Sequence, residues 1–200
     1  SSKYDFLNDL FSFGLHRLWK RKLLNWLQPL DGEKWIDLCC GTGDLTLSIA
    51  RLVRPSGSVL GLDFSHHQIL LAKKRSETDP SLPVSWLMGD ALRTGLASNS
   101  FDGVVMAYGL RNLEDPEVGL KEIYRLLKPG SKAGILDFNC PVEGSKTASF
   151  QKFYLRRIVV PIASIFGFRK EYAYLEKSLK SFPSGLVQKE IASNIGFKDV

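Results

Sequence analysis

Residues 35–44 have the sequence Trp35-Ile36-Asp37-Leu38-Cys39-Cys40-Gly41-Thr42-Gly43-Asp44, which predicts a buried strand, a glycine turn and the start of a helix. Gly41 and Gly43 let the backbone turn tightly and approach a ligand without a Cβ in the way. A dinucleotide-binding fingerprint would place a third glycine at position 46, where this chain has Thr46. The turn therefore predicts a ligand site, and NAD binding is disfavoured.

Short apolar runs alternate with helical stretches along the chain, which is the pattern of an α/β fold. Residues 1–30 precede this pattern as helical material, and residues 145–195 add two or three helices after it. Right-handed crossovers between parallel strands would place helices on both faces of the sheet. The five predicted strands are 34–38, 58–63, 84–88, 101–107 and 132–138, and the three predicted helices between them are 44–53, 65–75 and 116–127.

The composition is that of one folded globular domain. Of the 200 residues, 44% are hydrophobic and 24% are charged, which excludes disordered and collagen-like classes. An uncharged apolar stretch near the C-terminus, residues 158–168, is shorter than the roughly 20 residues of a membrane-spanning helix. The three cysteines and three histidines have no paired ligand spacing, so no metal site is predicted. Residues 196–200 resemble the first part of a further strand.

The formal net charge of +6 favours contact with anionic surfaces, either nucleic acid or lipid headgroups. Part of the charge falls in one segment near the N-terminus, where Arg17, Lys20, Arg21 and Lys22 lie among Leu and Trp residues. The helical spacing of these residues predicts an amphipathic helix with a basic face. A solvated helix face is the alternative interpretation.

Two acidic positions follow the second and third predicted strands. Asp63 lies 20 residues after Gly43, where a carboxylate can accept hydrogen bonds from both hydroxyls of a ribose. Asp90 and Ala91 follow the third strand, where the base of a nucleoside would lie. Taken together, the order and spacing of these motifs predict a nucleoside pocket at the strand ends.

These motifs resemble the Rossmann-like, class I S-adenosylmethionine-dependent methyltransferases, with residues 37–43 as the loop on the methionine side of the cofactor. That family commonly has a glycine where this chain has Cys39. The resemblance implies a mostly parallel sheet with helices on both faces, and final antiparallel strands beyond Val200. It also implies S-adenosylmethionine as the cofactor, bound by Asp37, Gly41, Thr42, Gly43, Asp63, Asp90, Ala91 and Ala107, the last through its backbone because a serine position of the family is alanine here.

A narrower resemblance covers nearly the whole chain. Several blocks are similar to the ubiquinone and menaquinone biosynthesis C-methyltransferases: Tyr4-Asp5, Asn8-Asp9-Leu10, Gly14-Leu15-His16-Arg17, Trp19-Lys20, Tyr108-Gly109-Leu110-Arg111-Asn112-Leu113, Leu127-Lys128-Pro129-Gly130 and Tyr172-Ala173-Tyr174-Leu175. Within that family, Cys39-Cys40 and Leu136-Asp137-Phe138-Asn139 most resemble the plant and cyanobacterial branch, which methylates demethylphylloquinone.

This resemblance implies a single methyltransferase domain with a helical lid at 1–30, a cofactor-binding core at 31–140 and a helical insertion on the substrate side at 145–195. It implies C-methylation of a prenylated quinol, most simply demethylphylloquinol to phylloquinol. Peripheral membrane contact and a homodimer or biosynthetic complex are expected partners. The expected location is the chloroplast membrane, or the cytoplasm or thylakoid surface of a cyanobacterium.

Methylation of an aromatic carbon requires a quinol ring whose hydroxyl has lost its proton. A guanidinium can stabilise the resulting oxyanion, and an amide can orient a hydroxyl or a bridging water. Arg111 and Asn112, just after the fourth strand, are the predicted catalytic residues. In the alternative interpretation both side chains cap the loop through backbone hydrogen bonds. His16 is a further candidate base, because an ordinary histidine has a pKa of about 6.5.

Other interpretations remain open. A methyltransferase acting on nucleic acid would use an Asp/Asn-Pro-Pro-aromatic segment after strand four, which this chain lacks, so no nucleic-acid partner is expected. A non-catalytic scaffold with a nucleoside pocket, or a methyltransferase for another small molecule, is consistent with the same motifs. The prenyl tail would need an apolar groove, and the candidates for it, which could equally form core, are Phe150, Phe153, Tyr154, Ile158, Ile162, Ile165 and Phe166.

Overall fold

The computed structural model describes residues 15–138 and 182–200, and these contain a parallel sheet of five strands. In chain order the strands are β1 (Lys34–Leu38), β2 (Ser58–Asp63), β3 (Val84–Met88), β4 (Phe101–Ala107) and β5 (Leu127–Leu136). They lie side by side in the order β3-β2-β1-β4-β5, and every neighbouring pair is parallel. Because the chain reverses its direction of winding between β1 and β4, a ligand crevice is expected at their carboxyl ends.

The helices are α1 (His16–Leu27), α2 (Asp44–Val53), α3 (His66–Ser76), α4 (Pro116–Leu126) and α5 (Gly185–Ile195), with a short 3₁₀ helix at Leu110–Asn112. Alternate residues of the strands enter two separate cores, one on each face of the sheet. The predicted α/β fold with helices on both faces is confirmed. One core joins Trp35, Val59 and Val105 to residues of α1 and α2, and the other joins Ile36, Leu62 and Met106 to residues of α4.

Capping residues set where two of the helices begin. Ser65 precedes α3, and its hydroxyl accepts a hydrogen bond from the Gln68 N–H. Asp115 precedes α4 and accepts from the Glu117 and Val118 N–H groups. A side-chain oxygen at this position satisfies backbone donors that the helix leaves without partners. The predicted helices therefore agree with α2, α3 and α4 to within one residue.

The fifth strand differs from its prediction at both ends, since it covers Leu127–Leu136 instead of 132–138. Leu127 pairs with Phe101 directly after α4, and an irregularity follows before Lys132 pairs with Gly103. The strand ends at Leu136 because the Asp137 carboxylate accepts hydrogen bonds from the Phe138 and Arg111 N–H groups and turns the chain. The turn-like residues 128–131 therefore lie inside the strand, between two paired parts of it.

Residues 197–200 form no strand, so that prediction is wrong. Gly196 ends α5, and the Phe197 ring instead packs against the Tyr124 ring on α4, with 5.1 Å between centroids. A strand needs a hydrogen-bonded neighbour, and none of the described strands pairs with this segment. Among the described residues, no helix has the length and apolar character needed to cross a bilayer. The predicted groove at 150–166 and the segment 172–175 lie outside the described residues.

Candidate active site

A cavity of about 700 Å³ opens at the carboxyl ends of the strands, where the sheet topology predicts a ligand crevice. Its walls come from the glycine loop after β1, the end of β2, the loop after β3 and the segment after β4, with one side chain from α1. The cavity is lined by nine of the residues predicted from the sequence: Asp37, Gly41, Thr42, Asp63, Asp90, Ala91, Ala107, Arg111 and Asn112.

Gly43 is the predicted cofactor-binding residue that does not line the cavity. It precedes α2 with φ +83°, and a Cβ there would overlap the Trp86 ring. Gly41 has φ +55° and borders open space, because an added Cβ would meet nothing within 4 Å. Positive φ favours glycine at both positions. The two glycines therefore serve different purposes, close packing at Gly43 and ligand approach at Gly41.

Cys39 also adopts a left-handed conformation, with φ +56°. This conformation favours glycine, and the cysteine tolerates it. Burial raises the pKa of the Cys39 thiol to about 12, and it also raises the pKa of Cys40. A thiol that keeps its proton is a poor nucleophile. Neither cysteine is therefore a candidate for covalent catalysis.

Asp37 lies at the buried end of β1, beneath the cavity. Its Oδ2 atom accepts hydrogen bonds from the Thr46 hydroxyl at 2.6 Å and from the Thr46 N–H at 3.0 Å. Burial raises the pKa of Asp37 to about 7, although the Thr46 hydrogen bonds and the charge of Lys20 oppose the shift. The carboxyl group therefore joins β1 to α2 and can exchange a proton near neutral pH.

Asp63 connects the end of β2 to the glycine loop. Its Oδ2 atom accepts a hydrogen bond from the Gly41 N–H at 2.8 Å, and its Oδ1 atom accepts one from the Ser65 N–H at 2.9 Å. Each carboxylate oxygen has a second acceptor site for a ligand hydroxyl. The contact with a ribose stays a prediction, and the carboxylate is already oriented for it by two backbone donors.

Asp90 shapes the loop after β3. Its Oδ1 atom accepts a hydrogen bond from the Leu92 N–H at 2.8 Å, and its carbonyl accepts one from the Arg93 N–H. Ala91 between them is buried and lines the cavity. The second carboxylate oxygen of Asp90 therefore has acceptor sites for a polar edge of a ligand.

Among the residues that line or support the cavity, several were not predicted from the sequence. Phe64 follows Asp63 and lines the cavity with 82% of its surface exposed, and Gln68 has a buried Oε1 atom without a partner among the described residues. Lys20 reaches from α1 to Asp44 at 3.0 Å, and Arg75 contacts both Asp44 and Thr42. Phe64 could have been predicted, because it is an aromatic residue directly after Asp63. The contacts of Lys20 and Arg75 could not, because they join segments that are distant in the sequence.

Arg111 forms a buried ion pair with Asp137. The Arg111 Nη1 atom lies 2.5 Å from Asp137 Oδ1 and also donates to the Tyr108 carbonyl, while the Arg111 backbone N–H donates to Asp137 Oδ2. The Asn112 amide donates to the same carbonyl at 2.9 Å. The hydrogen bonds of the loop-capping alternative are thus present, and both side chains nevertheless line the cavity.

Two polar atoms beside this ion pair are buried without a hydrogen-bond partner among the described residues, the Arg111 Nε and the Tyr108 hydroxyl. Burial and the charge of Asp137 raise the pKa of Tyr108 well above its usual value, so the hydroxyl keeps its proton. Unpaired buried donors are rare and call for an explanation. Both atoms are shielded from solvent, so a ligand oxygen would reach them only if the side chains around them moved. His16, by contrast, is the buried first residue of α1 and is not among the cavity-lining residues.

Comparison with known proteins agrees with this geometry. Residues 1–200 match the model of the ubiE/COQ5 methyltransferase family. The chain is 44% identical over 195 residues to 2-phytyl-1,4-naphtoquinone methyltransferase of Nostoc punctiforme, and this alignment covers 97% of this chain and 84% of that protein. It is 40% identical over 197 residues to the chloroplastic 2-phytyl-1,4-beta-naphthoquinone methyltransferase of Arabidopsis thaliana, with 97% and 75% covered.

A solved structure also matches the fold. A SAM-dependent methyltransferase from Aquifex aeolicus aligns with a TM-score of 0.66 at 17% identity, and the alignment covers 98% of this chain and 86% of that one. At this identity the match concerns the fold alone. The predicted class I methyltransferase fold is confirmed, and the carboxylates described above occupy its strand ends.

Proposed function

The chain belongs to the ubiE/COQ5 methyltransferase family, and from this we propose that it transfers a methyl group from S-adenosylmethionine to a ring carbon of demethylphylloquinol, giving phylloquinol. The observation that carries the proposal is the identity of 40% to 44%, over nearly the whole chain, to proteins named as methyltransferases of 2-phytyl-1,4-naphthoquinone. The chain is a methyltransferase and its cofactor is S-adenosylmethionine. The choice of naphthoquinol is the step we propose.

The residues of the cavity fit this cofactor. Gly41 leaves open space above the loop, Asp63 offers acceptor sites for ribose hydroxyls, and the unpaired Gln68 Oε1 can accept a further hydrogen bond. The exposed Phe64 ring can cover the flat face of a base. When bound, the cofactor supplies an electrophilic methyl group on a sulfonium. The part played by the protein is to hold the ring carbon in line with that methyl group, which is worth up to about 11 kcal/mol.

We propose that Arg111 and Asn112 act on the quinol ring. Asp137 compensates the charge of Arg111 and engages Nη1 together with the Tyr108 carbonyl, and Nε is shielded from solvent, so the group left to contact a ring oxygen is the Nη2 amino group. Donors at fixed positions stabilise an oxyanion without having to reorganise during the reaction. Asn112 would orient the water that takes the proton of the ring hydroxyl. Their positions on the cavity wall support these roles.

The test of these roles must not leave Asp137 buried without its partner, since an unpaired buried charge would unfold the site. The double variant Arg111→Gln/Asp137→Asn removes both charges together. We expect kcat to fall by about 10²-fold to 10³-fold, the loss typical of one oxyanion donor, while affinity for S-adenosylhomocysteine stays within about threefold. Full turnover in this variant would remove Arg111 from the mechanism.

Substrate choice is tested with labelled S-adenosylmethionine. Label should enter a reduced demethylated naphthoquinol and should not enter an RNA pool. Label in RNA would replace the proposal with a nucleic-acid methyltransferase. Cofactor binding without label in any quinol would favour a scaffold in a biosynthetic assembly.

We further propose a peripheral membrane location in a chloroplast or a cyanobacterium, with a homodimer or a biosynthetic complex as its setting. The relatives named above come from a plant chloroplast and from a cyanobacterium, and the naphthoquinone in their names carries a phytyl chain. Such a chain partitions into lipid because each buried CH₂ contributes about 0.8 kcal/mol. Chloroplast fractionation and light scattering test the location and the assembly.

A further inference from the structure

Helix α1 has an apolar stripe on the side that the fold leaves in solvent. Leu18 is 55% exposed and Trp26 is 68% exposed. Positions 15, 18, 22 and 26 are three or four residues apart, so they lie along one side of the helix. The buried residues Leu23 and Leu27 lie on another side, against Gly134 of β5. The sheet therefore uses one apolar face of α1 and leaves a second one open.

The charge around this stripe has one sign. Residues 15–28 contain four basic side chains and no acidic one. Lys20 is paired with Asp44, whereas Arg21 and Lys22 are exposed, and the Lys22 ammonium lies 4.8 Å from the Trp26 ring centroid. A second copy of α1 would bring like charges together, and a nucleic acid would leave the leucines uncovered. Leucine and tryptophan beside lysine and arginine are typical of helices that lie in the headgroup region of a bilayer.

We propose that the outer face of α1, formed by Leu15, Leu18, Lys22 and Trp26, docks on an anionic bilayer from which the enzyme takes its prenylated quinol. The uptake of a prenylated quinol from the bilayer rests on the proposed function, and the docking itself does not. Lys20 of the same helix lines the cavity. The docking face and one wall of the active site are therefore parts of one rigid element, which keeps the site close to the lipid surface.

Flotation of the full chain with vesicles tests the docking. One set of vesicles contains phosphatidylcholine alone, and the other contains about 40% phosphatidylglycerol, which gives the bilayer an anionic surface. The wild-type protein should float with the anionic vesicles. The variant Leu18→Ser/Trp26→Ser should lose about tenfold or more in partition coefficient. Lys22→Gln should lose about fivefold, and the effect should shrink in high salt.

A matched control uses exposed leucines elsewhere on the surface. Leu52 on α2 and Leu70 on α3 are 46% and 49% exposed, so Leu52→Ser/Leu70→Ser removes exposed apolar side chains from another part of the surface. This control should float within about twofold of the wild type, since it leaves the proposed face intact. Circular dichroism and melting temperature check that all variants are folded. Trp26→Phe keeps an apolar ring and should restore much of the partitioning.

The docking is refuted if the wild-type protein does not float, or if the stripe variant floats as well as the control variant. If the stripe variant floats normally but loses self-association or RNA binding, the face serves that other partner. Activity separates this inference from the proposed function. The stripe variant should methylate a tail-less demethylated quinol in solution at the wild-type rate and lose turnover on phytylated quinol in vesicles. A wild type that floats but methylates neither quinol refutes the proposed function alone.

Discussion

Alanine should have different effects at the two glycines of the cofactor loop. Both have positive φ, and a Cβ in that conformation costs about 1–2 kcal/mol. At Gly41 the added Cβ meets nothing within 4 Å, so this conformational cost is the whole effect of the substitution on the free energy of unfolding. At Gly43 the Cβ would lie against the Trp86 ring, with Cζ3 at 3.0 Å, and such overpacking adds about 1–3 kcal/mol. Gly43→Ala is therefore expected to destabilise the protein by about 2–5 kcal/mol and Gly41→Ala by about 1–2 kcal/mol.

Affinity for the cofactor should follow the opposite order. Gly41 lines the cavity, so the methyl group of Gly41→Ala occupies space next to the ligand, and we expect at least about a tenfold loss of affinity, or 1.4 kcal/mol. Gly43→Ala should bind within about threefold of wild type, per folded molecule. Urea unfolding and calorimetry with S-adenosylhomocysteine measure the two quantities. Equal stability losses, or wild-type binding by Gly41→Ala, would refute the division of roles.

Three further substitutions test other parts of the site and its support. Burial raises the pKa of Asp37 from 3.8 to about 7. Between these pH values the folded protein keeps a proton on Asp37 that the unfolded chain has lost. The contribution of Asp37 to stability should therefore be highest below about pH 4 and fall as the pH rises to about 7. Urea unfolding of Asp37→Asn should show a flatter profile, and an unchanged slope would contradict it. Hydrogen bonds from Arg125 lower the pKa of Glu122 from 4.5 to about 2, so the stability it contributes above pH 4.5 is lost as the pH falls through 2, and acid titration of Glu122→Gln should lack this loss. Asp63→Asn should weaken binding of S-adenosylhomocysteine by about 10-fold to 100-fold in calorimetry, because hydrogen bonds to a charged group are lost; wild-type affinity would exclude the ribose contact.

The sequence predicts the central strands well because each is buried on both faces. Strands β1, β2 and β4 have the predicted boundaries, since an apolar run ends abruptly at turn residues in each case, and β3 also has them although it is an edge strand without a fully buried residue. β5 lies at an edge of the sheet, where it contains an irregular part, residues 128–131, whose side chains are accessible. Apolar patterning therefore does not mark where that strand begins.

The site is predictable to the extent that it follows from topology. Carboxyl groups at the ends of neighbouring parallel strands must come together, and Asp37 and Asp63 do so. The Arg111–Asp137 pair joins residues 26 apart, and the Lys20–Asp44 pair joins residues 24 apart. No local pattern specifies such a pair, because it depends on how the elements pack.

The compensation of Arg111 by Asp137 bears on how the proposed reaction can be fast. In the transition state the ring oxygen carries more negative charge than in the neutral quinol and less than in the quinolate, because the charge decreases as the ring carbon bonds to a cationic donor. A fixed donor therefore favours the reaction of the quinol, whereas an uncompensated guanidinium would stabilise the quinolate more than the transition state and slow the transfer step. With Asp137 2.5 Å from Arg111, the group offers a fixed N–H dipole and little net charge. Under the proposed role, the ion pair thus limits how tightly the quinolate is held before it reacts.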